Sequence, residues 1–76
     1  MDIDDIKQLL TKKFTDSQRI EVTLDGNHVS ITIVSDAFAN LRAVSRQKLV
    51  YTALAQPIKS GEIHAVHIKT YTPDEQ

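Results

Sequence analysis

Two alternating segments, separated by a tight-turn signal, constrain this chain more than any other feature. Residues 19–25 (RIEVTLD) and 28–34 (HVSITIV) alternate apolar and polar side chains, which is typical of strands with one buried face. Between them, Asp25-Gly26-Asn27 predicts a turn, because glycine and asparagine tolerate positive φ. We therefore predict an antiparallel hairpin. The side chains predicted to face the core are Ile20, Val22, Leu24, Val29, Ile31 and Ile33.

The length of the chain limits it to one small domain with a thin core. It has 76 residues, of which 41% are hydrophobic, and a domain of this size buries only about 60% of its unfolded surface. This suffices for one layer of helices on one sheet, without a deep substrate cavity. The chain has no cysteine, which excludes disulfides and thiolate ligands. With no long apolar run and no signal-like N-terminus, we expect a cytoplasmic protein.

Helical periodicity predicts further elements on both sides of the hairpin. Asp2 and Asp5 form a capping signal for a first helix from about Ile3 to Phe14. After the hairpin, Ser35-Asp36 predicts a short turn or helix through Phe38, and a long helix follows from about Asn40 to Gln56. We interpret Phe38 and Tyr51 as core residues. Pro57 should kink or end this helix. Its predicted apolar stripe contains Leu41, Val44, Lys48, Leu49, Val50, Tyr51, Leu54 and Ala55.

The last predicted strand covers residues 61–71 and carries two of the three histidines. Because helices connect it to the second strand, we expect the two strands to be parallel. Parallel neighbours begin at the same edge, so His28 and His64 should lie together beside the Gly26 turn. After the strand, residues 72–75 (TPDE) predict the start of a C-terminal helix that is short or truncated.

With these segments assigned, the chain resembles the BolA-like family, and most closely its IbaG-type branch. The resemblance rests on residues 34–38 (VSDAF), residues 49–54 (LVYTAL) and, most specifically, residues 63–75 (IHAVHIKTYTPDE). It implies an α+β fold with the order α-β-β-α-α-β(-α), which is class II KH-like. Such a domain over residues 1–76 has a three-stranded mixed sheet with helices packed on one face.

The resemblance also implies a function and its residues. BolA-like proteins are non-enzymatic partners of monothiol glutaredoxins in iron–sulfur cluster trafficking, and some are transcriptional regulators. A [2Fe–2S] cluster is expected only in the complex, where His64 and His28 would be ligands and the glutaredoxin and glutathione would supply the others. Alone, the chain is expected to form at most a weak homodimer.

The residues themselves leave other interpretations of the histidines open. His64 could be a histidine at the core edge, bonded to a backbone carbonyl, and His28 an exposed turn residue. Strand parity places His28 opposite the apolar face, whereas His64 shares its parity with Val66 and Ile68. His67 is on the other parity from His64. We interpret it as a packing or surface residue, which disfavours a zinc site made of all three histidines.

Basic residues without acidic neighbours suggest a second surface. Between Ala37 and Gly61 the chain has four basic residues and no acidic one. Arg42, Arg46 and Lys48 are candidate docking residues for a protein partner, and with Lys59 they are candidates for nucleic-acid contacts. A net charge of −1 gives no general attraction to nucleic acid, and the GxxG loop of KH domains is absent. A solvated helix face explains the pattern equally well.

Overall fold

The computed structural model describes residues 2–26, 28–63 and 65–75, and in it helices pack on one face of a mixed sheet. Met1, Asn27, His64 and Gln76 lie outside the described residues. Two 3-10 turns follow the second and third strands, at Asp36–Phe38 and Pro73–Glu75. The other elements, in chain order, are α1 (Ile3–Lys13), β1 (Arg19–Asp25), β2 (His28–Val34), α2 (Ala43–Ala53), α3 (Ala55–Lys59) and β3 (Ala65–Tyr71).

The sheet has the order β1-β2-β3. β1 and β2 are antiparallel, with an unbroken register from Arg19 opposite Val34 to Asp25 opposite His28. β2 and β3 are parallel, and their register begins with His28 opposite Ala65. The predicted hairpin and the predicted parallel crossover are both confirmed.

α1 begins where its capping signal predicts. The Asp5 N–H donates to the Asp2 carboxylate at 2.9 Å, and the Asp2 N–H donates to the Asp5 carboxylate at 3.2 Å. This reciprocal pair satisfies two backbone donors that the first turn leaves without helical partners. One face of the helix buries Ile6 and Leu10, so the start of the helix and its apolar face are both set by local sequence.

The core lies between the inner face of the sheet and the helices. The rings of Phe14 and Phe38 meet there, with centroids 5.3 Å apart and planes inclined by 49°. The buried core residues are Ile6, Leu10, Phe14, Val22, Val29, Ile31, Ile33, Phe38, Val50, Leu54 and Ile63.

The described helices are also too short or too polar for any of them to span a membrane.

The long helix predicted over residues 40–56 is wrong at both ends. Asn40 has a φ of 64°, and Arg42 is extended as the N-cap, so α2 begins only at Ala43. The helix ends at Ala53, because Leu54 leaves helical geometry with φ −105° and ψ 13°. Pro57 has no N–H to donate to the carbonyl of Ala53. It lies instead inside the short helix α3, where proline is tolerated in the first turn.

The predicted apolar stripe of α2 also differs from the buried face. Val44 is 65% exposed and Tyr51 is 44% exposed, whereas Val50 is fully buried. The side chain of Gln47 donates to the carbonyl of Ile68 in β3 at 3.1 Å. α2 therefore turns the face of residues 47, 50 and 54 toward the sheet. The prediction that Phe38 is a core residue is confirmed, and the same prediction for Tyr51 is wrong.

The last strand begins at Ala65, four residues later than predicted. Gly61 has a φ of 82° and belongs to a turn. The N–H groups of Glu62 and Ile63 both donate to the carbonyl of Pro57, at 3.0 and 3.3 Å. Backbone groups that were expected to pair within the sheet thus hold the connection against α3.

Candidate functional site

β2 and β3 begin at one edge of the sheet, which we call the strand-start edge (Gly26, His28, Ile63 and Ala65). His28 is the first residue of β2 and lies opposite Ala65, the first residue of β3. His28 is exposed, whereas the next residue, Val29, is buried in the core. Because side chains alternate along a strand, the imidazole of His28 belongs to the outer face of the sheet.

Position 64 itself lies outside the described residues, and the chain is well fixed on both sides of it. Ile63 is 3% exposed and belongs to the core, with its N–H bonded to Pro57. Ala65 is half-buried and pairs with β2. Buried packing on one side and a strand register on the other deliver the chain to the strand-start edge. The ligand role of His64 stays a prediction.

The outer face of the sheet carries polar side chains on all three strands. His67 lies on it, opposite Ser30 and one step further along the strands than His28. It is exposed, so of the two roles that we considered, packing and surface, the structure shows the surface one. In residues 2–26, 28–63 and 65–75, no group of three or more His, Cys, Asp or Glu side chains could hold a metal ion. The imidazole of His28 is exposed on this face of the sheet.

Arg46 is engaged within the fold. Its guanidinium donates to both carboxylate oxygens of Glu75 at 2.7 and 3.1 Å, and its Nε donates to the carbonyl of Leu41 at 3.0 Å. Two hydrogen bonds lower the pKa of Glu75 from 4.5 to about 2: the one from Arg46 has the larger effect, and the one from the Thr72 N–H has the smaller. These bonds tie the start of α2 to the turn after β3. The docking role predicted for Arg46 remains untested.

The structure separates the other predicted basic residues. α2 runs opposite to β3, because Arg46 contacts the turn after the strand and α3 bonds to the loop before it. Arg42 thus lies at the end of α2 away from the strand-start edge, about 16 Å along the helix from Ala53. Lys59 ends α3, close to that edge. The four basic residues therefore do not form one cluster around His28.

Lys48 lies midway along α2 on a face that sequence reasoning assigned to the core. This α2 outer face consists of Val44, Lys48 and Tyr51, all exposed. Their spacing of four and three residues places them on one side of the helix. The sequence signal for this exposed face was Lys48. A lysine at helical spacing between two apolar residues indicates that the face they share is exposed.

A shallow open groove lies along the exposed surface of α1. It contains none of the predicted site residues. Its lining residues are Asp4, Lys7, Gln8, Thr11 and Lys12.

Comparison with protein families and curated proteins gives consistent matches. Residues 8–75 match the family described as BolA-like protein. An uncharacterised protein of Buchnera aphidicola (subspecies Acyrthosiphon pisum) is 41% identical over 99% of this chain and 92% of its own length. The acid stress protein IbaG of Escherichia coli K12 is 40% identical over 76% of this chain and 69% of its own length. The DNA-binding transcriptional regulator BolA of Vibrio cholerae is 45% identical, over 64% of this chain and 45% of that protein.

Solved structures show the same fold. A BolA protein homologue from Coxiella burnetii superposes with a TM-score of 0.83 and 37% identity, covering 99% of this chain and 95% of that one. The BolA domain of SufE1 from Arabidopsis thaliana superposes with a TM-score of 0.86 and 34% identity, covering 96% and 93%.

Proposed function

This chain belongs to the BolA-like protein family, in its IbaG-type branch, and we propose that it is a non-enzymatic adaptor that binds a monothiol glutaredoxin and shares a [2Fe–2S] cluster with it. In the proposed complex His64 and His28 are the ligands from this chain. The cysteine of the glutaredoxin and bound glutathione supply the others. As this adaptor, the chain would act in iron–sulfur cluster trafficking.

One observation carries the proposal. His28 lies opposite Ala65 at the start of two parallel strands, and Ala65 directly follows position 64 in the sequence. An imidazole nitrogen can replace a cysteine thiolate on a [2Fe–2S] iron, as in Rieske centres. Only the neutral imidazole coordinates, so binding is expected to weaken at low pH. Because the chain has no cysteine, two histidines alone leave the cluster short of ligands, and a thiolate-bearing partner completes it.

The docking surface that we propose for the glutaredoxin includes Arg42 and Lys48. Both are exposed, and Lys48 lies between the exposed apolar side chains Val44 and Tyr51. Tyrosine is enriched at protein interfaces, exposed apolar side chains mark binding surfaces, and charged side chains belong to the polar rim. Arg46 is a weaker candidate, because Glu75 already occupies its guanidinium.

The test mixes the purified chain with cluster-loaded monothiol glutaredoxin and follows visible absorption and circular dichroism. The wild-type chain should change the visible circular dichroism spectrum, because imidazole ligands replace others on the iron. His64→Ala should abolish this change and His28→Ala should weaken it. The same titration with Lys48→Glu should require more protein to reach the same change.

His67→Ala is the matched control, since His67 is exposed on the same face as His28 but one step further along the sheet. It should behave like the wild-type chain. A wild-type spectrum retained by His64→Ala, or one lost equally in His67→Ala, would contradict the ligand assignment.

Nucleic-acid binding is a second candidate function. The name of the Vibrio cholerae relative and the lack of acidic residues between Ala37 and Gly61 support it. The exposed cations available for phosphate contacts are Arg42, Lys48 and Lys59.

Fluorescence anisotropy with a labelled DNA duplex tests this candidate. Three phosphate contacts predict a slope of about −2.7 in a plot of log K against log salt concentration. Lys59→Gln should make that slope less steep by about the amount that one phosphate contact contributes. Binding that is absent at low salt, or that does not depend on salt, would refute the candidate.

A further inference from the structure

β1 is a terminal strand with an open hydrogen-bonding edge. In the described sheet it pairs with β2 alone. Natural edge strands are protected by proline, by a bulge, by short length, by a covering helix or loop, or by charged side chains, lysine above all. The charged side chains of β1 are Arg19, Glu21 and Asp25, and because both signs occur they can pair with those of a second copy. β1 has seven residues without proline, glycine or lysine, and its register with β2 is one-to-one throughout, so it has no bulge. Its outer backbone groups can therefore pair with another strand.

The side chains along β1 match a second copy of the same strand. Pairing centred on Val22, with a two-fold axis perpendicular to the sheet, places Ile20 opposite Leu24 on the inner face. Leu24 is 40% exposed in the monomer, so this contact would cover apolar surface. On the outer face, Arg19 would lie opposite Asp25, and this charge pair occurs twice because of the symmetry.

Charge selects this register over its neighbours. Centring the pairing on Glu21 would place two Glu21 carboxylates directly opposite each other. Centring it on Thr23 would place Glu21 opposite Asp25. Like charges directly opposite each other destabilise a strand pair. A centre between two residues would place inner side chains against outer ones.

We propose that two copies of this chain associate through β1, antiparallel and centred on Val22, to form a continuous six-stranded sheet. Arg19 pairs with Glu21 at 2.7 Å on the exposed outer face, and Asp25 of the second copy would lie opposite Arg19 in this register. The contact involves one strand from each copy, so the dimer is weak and depends on concentration.

Crosslinking tests the register directly, because the chain has no cysteine of its own. In the proposed dimer Glu21 lies opposite Thr23 of the other copy. A mixture of the Glu21→Cys and Thr23→Cys variants should therefore give more disulfide-linked dimer on mild oxidation than either variant alone, because a disulfide needs Cβ atoms about 4 Å apart and identical positions in the two copies lie diagonally, about 7–8 Å apart. Lys69→Cys, exposed on β3, is the control and should crosslink at the background rate. Yields from the mixture that match this background would overturn the proposal.

Charge exchange tests the same contact without a crosslink. Asp25→Arg places arginines opposite each other twice, so sedimentation velocity should show the monomer–dimer midpoint shifted upward by about tenfold. The double variant Arg19→Asp with Asp25→Arg restores opposite charges and should recover the dimer. Lys69→Asp should leave the midpoint unchanged. A wild-type chain that stays monomeric at millimolar concentration, or a double variant that is not rescued, would refute the pairing.

Discussion

Glu75 joins two distant parts of the chain through one carboxylate. It accepts from Arg46 at the start of α2 and from the Thr72 N–H at the start of its own turn. Sequence predicted the second bond, because Thr72 and Glu75 form a capping signal. It could not predict the first, since Arg46 lies 29 residues away and also fits an exposed docking surface.

The lowered pKa of Glu75 predicts a dependence of stability on pH. A carboxylate whose pKa is lower in the folded state stabilises the fold above its unfolded pKa, and this contribution is lost as pH falls through the folded pKa. For Glu75 the interval runs from 4.5 down to about 2. Urea unfolding at a series of pH values should show Glu75→Gln less stable than the wild-type chain at pH 6. The difference should shrink progressively below pH 4.5.

Asp74→Asn provides the control for this experiment. Asp74 is exposed and lies next to Glu75, but forms no ion pair in the described part of the chain. Its substitution should leave the difference between pH 6 and pH 2 close to that of the wild-type chain. An equal loss of pH dependence in both variants would assign the effect to net charge instead of the Arg46–Glu75 pair.

At the scale of elements, the hairpin and α1 were predictable because their signals are local. Strand alternation fixed both β1 and β2 to the residue, and the reciprocal aspartates fixed the start of α1. α2 was predicted less well, since its apolar residues surround the helix and only packing selects the buried side. Gln47 decides it through its bond to Ile68, a contact that no periodicity contains.

The end of β3 that carries the candidate site shows the same limit. Gly61 and the apolar residues after it fit the start of a strand. In the structure, however, backbone N–H groups of this segment donate to the carbonyl of Pro57, which α3 turns toward the loop. The parallel pairing and the place of His28 at the strand-start edge were nevertheless correct. They follow from the order of elements, which the sequence states clearly.

At the scale of the whole molecule, few side chains make up the core, so each one matters. A domain of this length is stable by about 4–11 kcal/mol, from 0.05–0.15 kcal/mol per residue. Phe38 is fully buried and contacts Phe14, which joins the turn after β2 to the end of α1. Removing its ring should therefore cost a large part of the total stability.

Phe38 and Tyr51 form a matched pair for this prediction, because both are aromatic and sequence assigned both to the core. Phe38→Ala should lower the free energy of unfolding by about 3–5 kcal/mol, and Phe38→Leu should lower it by less, which keeps a folded variant available. Tyr51→Ala should change it by no more than about 0.5 kcal/mol, since that side chain is 44% exposed. Urea unfolding followed by far-ultraviolet circular dichroism measures all three. A loss at Tyr51 as large as that at Phe38 would mean that α2 buries the face of Val44 and Tyr51, and a partner could then not dock on the α2 outer face.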